Sequence, residues 1–266
     1  MFRPKVGDST GKRLSGGMLL LAALVLSRLI RRAGVVDARQ SMIGVLLPPS
    51  AGAVLANLAI GLNRKVVVNL SYALTAEQIE HCVRTCGITH VITSQRFLKR
   101  KPLELPAVKM IFMEDLEKQA TWFDKLIAAL QAYCMPLFLL LRILQLNSLK
   151  DDDLMTVLFT SGTTGPPKGV MLSNKNVLAS VDAIRQLYRI DRDDVTLGIL
   201  PFFHAFGYSG TLWLPLMSDM SVVYHYDPFS TKAISKLAAQ SRVTVLFATP
   251  TFLRLYLRRC KAEDFQ

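Results

Sequence analysis

Apolar runs and amphipathic stretches alternate along most of this chain, and the alternation predicts its secondary structure. Apolar runs bounded by turn residues predict strands at residues 42–48, 65–69, 89–93, 154–159, 195–200, 221–226 and 243–248. Apolar residues at helical spacing predict helices at 51–62 and 231–239, and further helices that begin near residues 17, 75, 173 and 250. Strands that alternate with helices are typical of α/β proteins. We therefore predict an α/β fold with mostly parallel, helix-covered sheets.

Three of the predicted helices begin with a capping signal. Thr75 and Gln78 have the spacing of a capping box, in which each side chain bonds the other residue's backbone N–H. Ser173 is a candidate N-cap, and Thr249 followed by Pro250 puts a cap and a first-turn proline at a helix start. The helix after Ser173 is predicted from apolar residues that recur at helical spacing, which are Val177, Val181, Ile184 and Tyr188.

The chain between residues 103 and 153 lacks this alternation and contains a long apolar stretch. Residues 126–146 are apolar at 17 of 21 positions, which raises the possibility of a membrane span. Pro136 interrupts helical hydrogen bonding, and Arg142 would lie within hydrocarbon, so both argue against a simple span. We favour a pair of helices that lies on a membrane or docks a partner. Core helices that close over the sheet and a true span remain alternatives.

The charge of the chain indicates anionic partners. The 266 residues are 51% hydrophobic, as in a globular chain with a sizeable core, and carry a net charge of +12. Basic residues cluster near the start of the chain, at 96–101 and at 254–261, but aromatic residues do not interleave with them as a nucleic-acid platform requires. We therefore favour a membrane surface and phosphate groups as the partners of the basic clusters, and we expect no binding of nucleic acid. A merely solvated basic face is the alternative for each cluster.

The cysteine pattern indicates a reducing compartment rather than a disulfide framework, because the four cysteines have no regular spacing. Cys82 and Cys86 could be grouped with His81 and His90 as metal ligands. The capped helix, however, places both cysteines on one face with Ile79. We therefore predict that these cysteines belong to the core.

A candidate phosphate site follows the apolar run 154–159, which predicts a strand covered on both faces in a parallel sheet. Residues 160–169, TSGTTGPPKG, form a predicted loop with three glycines, four hydroxyls and one lysine. Glycines let backbone N–H groups approach an anion, hydroxyls donate further hydrogen bonds, and lysine brings a positive charge. The segment differs from a Walker P-loop because Lys168 precedes glycine rather than serine or threonine. These residue types favour binding of a polyphosphate.

A second candidate site, residues 201–207 with the sequence PFFHAFG, follows the strand predicted at 195–200. Ligands of α/β proteins bind at the carboxyl ends of parallel strands, so His204 is well placed to face one. Taken alone, a histidine at such a position is more often structural.

The two segments resemble the two hallmark motifs of the acyl-adenylate-forming superfamily, and residues 248–251 resemble its acyl-pocket segment. Further likeness at 45–50, 66–69, 198–201 and 252–254 favours the fatty-acyl synthetase branch. Within that branch the chain most resembles the synthetase half of the bifunctional acyl-ACP synthetase/2-acylglycerophosphoethanolamine acyltransferases. The resemblance implies the N-terminal adenylating domain of this superfamily, in incomplete form.

The resemblance also implies a reaction with ATP and Mg²⁺. A fatty acid would become an acyl-adenylate, and the acyl group would pass to a pantetheine thiol of acyl carrier protein or coenzyme A, feeding phospholipid acylation. The expected location is the bacterial cytoplasm, at the inner face of the membrane. Residues implied to bind the nucleotide are Thr160, Ser161, Gly162, Thr163, Thr164, Gly165, Lys168 and Gly169, with Thr164 also contacting the metal. Residues implied to act on or bind the acid are His204, Lys168, Phe206, Gly207, Thr249 and Pro250.

Several motifs of the superfamily are not found among these 266 residues. We expect residues 1–266 to be a partial adenylating domain, made of a first βα portion at 8–102, an apolar helical insert and linker at 103–153, and the phosphate-loop portion at 154–266. The superfamily's Mg²⁺-binding glutamate, ribose-binding aspartate, hinge and C-terminal lid domain with its catalytic lysine are not found in it. No histidine is followed five residues later by the aspartate of an acyltransferase motif. The 266 residues are therefore expected to bind nucleotide weakly and not to complete adenylation.

Other functions stay open from the sequence. One is a non-catalytic nucleotide- or lipid-binding module at a membrane surface, and another is adenylation of a different carboxylic acid, such as an amino or aryl acid. A third is a membrane-anchored structural protein.

Overall fold

The computed structural model describes residues 4–36, 41–160 and 165–260, which form two compact units. Unit 1 is discontinuous in sequence and comprises Met1–Gly16, Pro48–Ala51 and Val177–Gln266. Unit 2 comprises Gly17–Leu47 and Gly52–Asn176. Each unit is built around its own β-sheet.

The elements follow the alternation expected from the sequence. The strands are β1 (Val6–Asp8), β2 (Arg13–Leu14), β3 (Met42–Val45), β4 (Val66–Asn69), β5 (His90–Thr93), β6 (Lys109–Phe112), β7 (Leu154–Thr160), β8 (Lys168–Ser173), β9 (Val195–Gly198), β10 (Ser221–Tyr224) and β11 (Val245–Leu246). The helices are α1 (Gly16–Arg32), α2 (Ala51–Leu62), α3 (Ala76–Thr85), α4 (Gln95–Arg100), α5 (Met113–Lys118), α6 (Trp122–Ala129), α7 (Leu137–Ile143), α8 (Asn174–Leu187), α9 (Ala205–Gly207), α10 (Leu214–Met217), α11 (Thr231–Ser241) and α12 (Pro250–Arg259). Turns of π-helix cover Leu130–Cys134 and Tyr208–Trp213, and a 3₁₀ turn covers Leu146–Ser148.

The sheet of unit 2 has six strands in the order β6-β5-β3-β4-β7-β8. All neighbouring pairs are parallel except the last, because β8 returns antiparallel to β7 at the edge. The sheet of unit 1 has the order β11-β9-β10-β1-β2 and is parallel except for the β1–β2 pair. The predicted α/β fold with mostly parallel sheets is therefore confirmed.

The capping box of α3 is confirmed. The N–H of Gln78 donates to Thr75 Oγ1 over 3.3 Å, and the N–H of Thr75 donates to Gln78 Oε1 over 3.0 Å. Cys82 lies in the core of unit 2, whereas Cys86 is half-buried. Burial raises the pKa of the Cys82 thiol to about 12, so Cys82 stays a neutral, packed side chain. The prediction of core cysteines is thus confirmed for Cys82.

Several predicted elements need correction. Strand β8 was not predicted, and it pairs antiparallel with β7 at the edge of the otherwise parallel sheet. Tyr188, which its spacing assigned to the helix after Ser173, instead follows the last residue of α8 and is 59% exposed. Ser173 does cap α8, since its Oγ accepts the N–H of Asn176 over 3.3 Å.

The apolar insert contains two short helices rather than one long one. Pro136 separates the π-helical turn after α6 from α7, as its missing N–H predicts. Among the residues that the structure describes, no helix is both long and apolar enough to cross a membrane.

Candidate functional site

The glycine-rich segment is held at both ends by the β7–β8 hairpin of unit 2. Thr160, the last residue of β7, pairs with Lys168, the first residue of β8, and Thr160 Oγ1 donates to the Lys168 carbonyl over 3.4 Å. Both side chains are exposed. The segment between these two residues therefore leaves the sheet at the carboxyl end of β7, which is parallel to β4.

The loop itself is shorter than expected, because Lys168 and Gly169 belong to β8. Gly165 has a φ of +145° in open space, and Gly169 lies against Val157 and Phe159 of the neighbouring strand. Four predicted nucleotide-binding residues lie outside the described residues, including the predicted metal ligand: Ser161, Gly162, Thr163 and Thr164. The described flanks fit a polyphosphate, since they present a hydroxyl and an ammonium group at the mouth of the loop.

His204 lies in unit 1, just beyond the carboxyl end of β9. Its N–H donates to the Pro201 carbonyl over 3.1 Å, and its own carbonyl accepts the N–H of Tyr208 over 2.8 Å. The imidazole is exposed and packs on the ring of Phe203, with centroids 4.5 Å apart. Partial desolvation of this otherwise exposed ring lowers the pKa of His204, which favours the neutral imidazole over the charged one.

Gly207 fixes the turn that presents His204. A Cβ atom at this position would lie 2.1 Å from the Pro201 carbonyl oxygen and 2.9 Å from that of Leu200. Thr211 Oγ1 donates to the Gly207 carbonyl over 2.7 Å and so fixes the following π-helical turn. Only glycine allows the chain to fold back this closely on the end of β9.

Unit 1 brings the predicted acid-binding residues to one edge of its sheet. Thr249 and Pro250 follow β11, the parallel neighbour of β9, and form the N-cap and first residue of α12. The exposed ring of Phe206 contacts Phe247 edge to face, with centroids 5.8 Å apart. His204, Phe206, Gly207, Thr249 and Pro250 therefore lie beyond the carboxyl ends of two adjacent strands, as expected for a ligand site.

Two residues at the same edge were not singled out from the sequence as site residues. Asp8 ends β1 and accepts the N–H of Ala51 over 3.1 Å, and His225 follows β10 with its Nδ1 2.8 Å from the Asp227 carbonyl oxygen. Both side chains are buried and bonded within the chain. Their polar character just at a strand end is the only sequence signal that could have pointed to them.

Within residues 4–36, 41–160 and 165–260, no three His, Cys, Asp or Glu side chains are grouped closely enough to hold a metal ion. His90 lies in β5, where its ring is within 2.9 Å of Thr89 Oγ1.

Comparison with known proteins gives consistent matches over this chain. A family model described as "AMP-binding enzyme" matches residues 3–266. The long-chain-fatty-acid–CoA ligase of Bacillus subtilis is 26% identical over 268 residues, which cover 91% of this chain and 46% of that protein. The p-hydroxybenzoic acid–AMP ligase of Mycobacterium marinum is 31% identical over 109 residues, which cover 41% of this chain and 16% of that protein. The chain thus spans less than half the length of these relatives.

Solved structures share the fold. The o-succinylbenzoate coenzyme A synthetase of Bacillus subtilis in complex with AMP superimposes with a TM-score of 0.78 at 23% identity, covering 99% of this chain and 62% of that one. Its complex with ATP and magnesium ion gives the same TM-score and identity over 97% of this chain and 49% of that one. At this identity the likeness establishes the fold.

Proposed function

Since the chain belongs to the AMP-binding enzyme family, we propose that its protein activates a fatty acid with ATP and transfers the acyl group to a pantetheine thiol. In the first step the carboxylate attacks the α-phosphate of ATP, the bond to pyrophosphate breaks, and an acyl-adenylate forms. In the second step the thiol attacks the acyl carbonyl, releasing AMP and a proton.

The observation that carries this proposal is the β7–β8 hairpin, which pairs Thr160 with Lys168 within the TSGTTGPPKG segment. Thr160 and Lys168 at its two ends would hold the β- and γ-phosphates, together with the hydroxyls and N–H groups of the residues between them. Such preorganised donors stabilise the charge that develops on the phosphate oxygens as pyrophosphate leaves. Mg²⁺, proposed to contact Thr164, would supply further neutralisation of that charge.

The acid is proposed to lie beside His204 in unit 1. A neutral imidazole at the carboxyl end of β9 can hydrogen-bond a carboxylate oxygen, and the exposed ring of Phe206 offers an apolar wall. The long-chain-fatty-acid–CoA ligase, whose match covers 91% of this chain, supports a fatty acid as the substrate. Acyl carrier protein and coenzyme A are both proposed acceptors, with phospholipid acylation as the destination of the acyl group.

An aryl acid is a second candidate substrate. The p-hydroxybenzoic acid–AMP ligase of Mycobacterium marinum has the higher identity, 31%, although over a shorter stretch of this chain. The adenylation chemistry and the phosphate-binding residues would be the same for either acid. Only the acid pocket would differ.

The test is acid-dependent exchange of labelled pyrophosphate into ATP by the protein at its native length. We expect fatty acids to support exchange and Lys168→Ala to lower it by about 10- to 100-fold, because a charge-assisted contact to phosphate is lost. Lys175→Ala, which removes an exposed lysine from α8 of the same chain, is the matched control and should change exchange less than twofold, or about 0.4 kcal/mol. Exchange with aryl acids alone would identify the second candidate, and no exchange with any acid would refute the proposal.

Residues 1–266 alone are proposed to bind ATP weakly without completing adenylation. The match to the Bacillus subtilis ligase covers only 46% of that protein, so groups needed for the reaction are proposed to lie in the remainder. Robust pyrophosphate exchange by the purified 266-residue chain contradicts this. Measurable ATP affinity without exchange agrees with it.

A further inference from the structure

A continuous set of large apolar side chains is exposed on α6, the π-helical turn and α7 of unit 2. Trp122, Leu137 and Phe138 are 73%, 68% and 72% exposed. The full set, called here the apolar face, is Trp122, Phe123, Leu126, Leu130, Leu137, Phe138, Leu139 and Ile143. The surfaces of soluble proteins seldom expose so many large apolar residues in one segment. Such patches mark sites of contact with other proteins or with membranes.

The opposite side of this segment is firmly attached to the rest of unit 2. Asp124 is buried, caps α6 together with Thr121, and pairs with Arg28 over 3.5 Å and Arg32 over 3.0 Å. The ring of Tyr133 lies so close to Gly17 of α1 that a Cβ there would be 2.7 Å from Tyr133 Cε1. The outward direction of the apolar face is therefore set by specific contacts on its inner side.

Along the chain, the exposed charges within and directly after the apolar face are of one sign. Between residues 122 and 150 the charged side chains on the surface are Lys125, Arg142 and Lys150, whereas the one acidic residue, Asp124, is buried in its ion pairs. Exposed acidic residues resume only at Glu117 on one side and Asp151 on the other. Apolar and aromatic side chains bordered by lysine and arginine complement a membrane surface that carries anionic phospholipids.

The helix geometry also suits a membrane surface. Eight residues in α6 and seven in α7 give helices of roughly 10–12 Å, far less than the ~30 Å hydrocarbon core. Pro136 breaks the chain between them, so the segment can lie along a bilayer but cannot cross it as one helix. Tryptophan, here Trp122, is a side chain that favours the boundary between headgroups and acyl chains.

We propose that the apolar face inserts into the interface of a membrane containing anionic phospholipids, with Lys125, Arg142 and Lys150 meeting the headgroups. This goes beyond the proposed adenylation and does not depend on it. The contact would hold the protein at the lipid bilayer, in which long-chain fatty acids dissolve.

The decisive variant is Leu137→Glu/Phe138→Glu in the native-length protein. Both residues are exposed and lie in the first turn of α7, where glutamate is favoured by the helix dipole, so the fold should be retained. The measurement is flotation with vesicles made of equal parts phosphatidylcholine and phosphatidylglycerol, without nucleotide. We expect the wild type to float, high salt to weaken binding, and the variant to bind about tenfold less or weaker still.

The matched control is Leu187→Glu/Tyr188→Glu, which adds the same two charges at neighbouring exposed apolar residues in unit 1, outside the apolar face. It should float like the wild type. A second measurement needs no folding assumption: tryptophan emission should shift to the blue with anionic vesicles in the wild type, and Trp122→Phe should remove that shift.

Three results would overturn the proposal. The first is that the wild type fails to float with anionic vesicles. The second is that the wild type and Leu137→Glu/Phe138→Glu float equally. The third is that the wild type self-associates and does not float, while the double variant no longer self-associates. The last would assign the face to a second copy of this chain. Because no nucleotide is present, a negative result leaves the pyrophosphate-exchange test unaffected.

Discussion

At the residue scale, the candidate phosphate segment of unit 2 and the candidate acid-binding edge of unit 1 depend on different kinds of residue. Thr160, Lys168 and His204 carry chemical groups that a ligand could meet, whereas Gly207 contributes by having no side chain at all. The Pro201 and Leu200 carbonyl oxygens that approach Gly207 are backbone atoms, which cannot rotate away as a side chain could. Gly207 is therefore the residue at which a small change should disturb the His204 turn most.

We predict that Gly207→Ala lowers the free energy of unfolding by about 1–3 kcal/mol, because its methyl group must displace backbone. Gly210→Ala is the matched control: it is buried three residues further on, yet its Cβ would meet Phe206 at 3.6 Å, an ordinary contact distance. The measurement is the urea unfolding midpoint of each variant. Equal destabilisation by the two alanines would contradict the prediction.

The sequence predicted hydrogen bonds between residues that are close in the chain. It did not predict contacts between segments that are distant in the chain. The Thr75 capping box and the Ser173 cap are confirmed. Both could be predicted from the sequence because their hydrogen-bond partners lie only three residues away. The contact of Gly207 with the end of β9 and the burial of Asp124 depend on how distant segments meet. No pattern in a single sequence specifies such contacts.

At the scale of elements, α6 is stabilised mainly through one carboxylate. Hydrogen bonds from the Thr121 side chain and N–H, followed by the Arg32 guanidinium, lower the pKa of Asp124 to about 2 from its ordinary 3.8. A carboxyl whose pKa is lower in the folded state contributes stability that is present above its unfolded value. For Asp124 this contribution is complete above pH 3.8 and is lost as the pH falls towards 2.

We predict that Asp124→Ala lowers the free energy of unfolding at neutral pH by about 1–3 kcal/mol, through the lost cap and ion pairs. The difference from the wild type should shrink as the pH falls from 3.8 towards 2, as measured by urea unfolding at each pH. Asp182→Ala, which removes an exposed carboxylate paired with Arg185, is the control and should cost no more than about 0.5 kcal/mol. A difference that stays constant down to pH 2 would refute the assigned role of the ionised carboxyl.

Helices and strands with a clear apolar pattern were predicted well, whereas the strand β8 at the edge of the sheet was not predicted. The bounds of α2 agree with the prediction, and β4, β5 and β10 differ only at their ends. Strand β8 was missed because it begins with Lys168 and Gly169 and leaves Val170 and Met171 largely exposed at the sheet edge. An edge strand buries little, so its sequence carries little apolar alternation.

At the scale of the whole molecule, unit 1 is assembled from three separate parts of the chain. Strand β1 lies between β10 and β2, and the N–H of Val222 donates to the Lys5 carbonyl over 3.0 Å. Val6 pairs with Val222 and is fully buried. The first described strand of the chain is thus an interior strand of a sheet made mostly from its second half.

We predict that Val6→Asp lowers the free energy of unfolding by about 3 kcal/mol or more, because it buries an unpaired carboxylate. Amide hydrogen exchange in β10 should accelerate, since β10 loses a well-packed neighbour. Lys12→Asp, at an exposed position between β1 and β2, is the control and should change stability by no more than about 0.5 kcal/mol. Unchanged exchange in β10 of Val6→Asp would contradict the observed pairing.

This long-range pairing marks the limit of what the sequence alone could specify. Alternation of strands and helices was enough to predict an α/β fold, because it depends on neighbours in the chain. The pairing of β1 with β10 joins residues more than two hundred positions apart, and β1 is only three residues long. So short a strand has no periodicity that distinguishes it from a loop.

The position of β1 also has a consequence for biosynthesis. When the ribosome has made Asn176, every segment of unit 2 has left the active centre, but the partner strands β9 and β10 do not yet exist. At typical translation speeds, Val6 must wait roughly 10–40 s for Val222 to be polymerised. Until Val222 has been made, the nascent β1 can pair only with β2, so chaperones that hold emerging chains have prolonged access to its other edge.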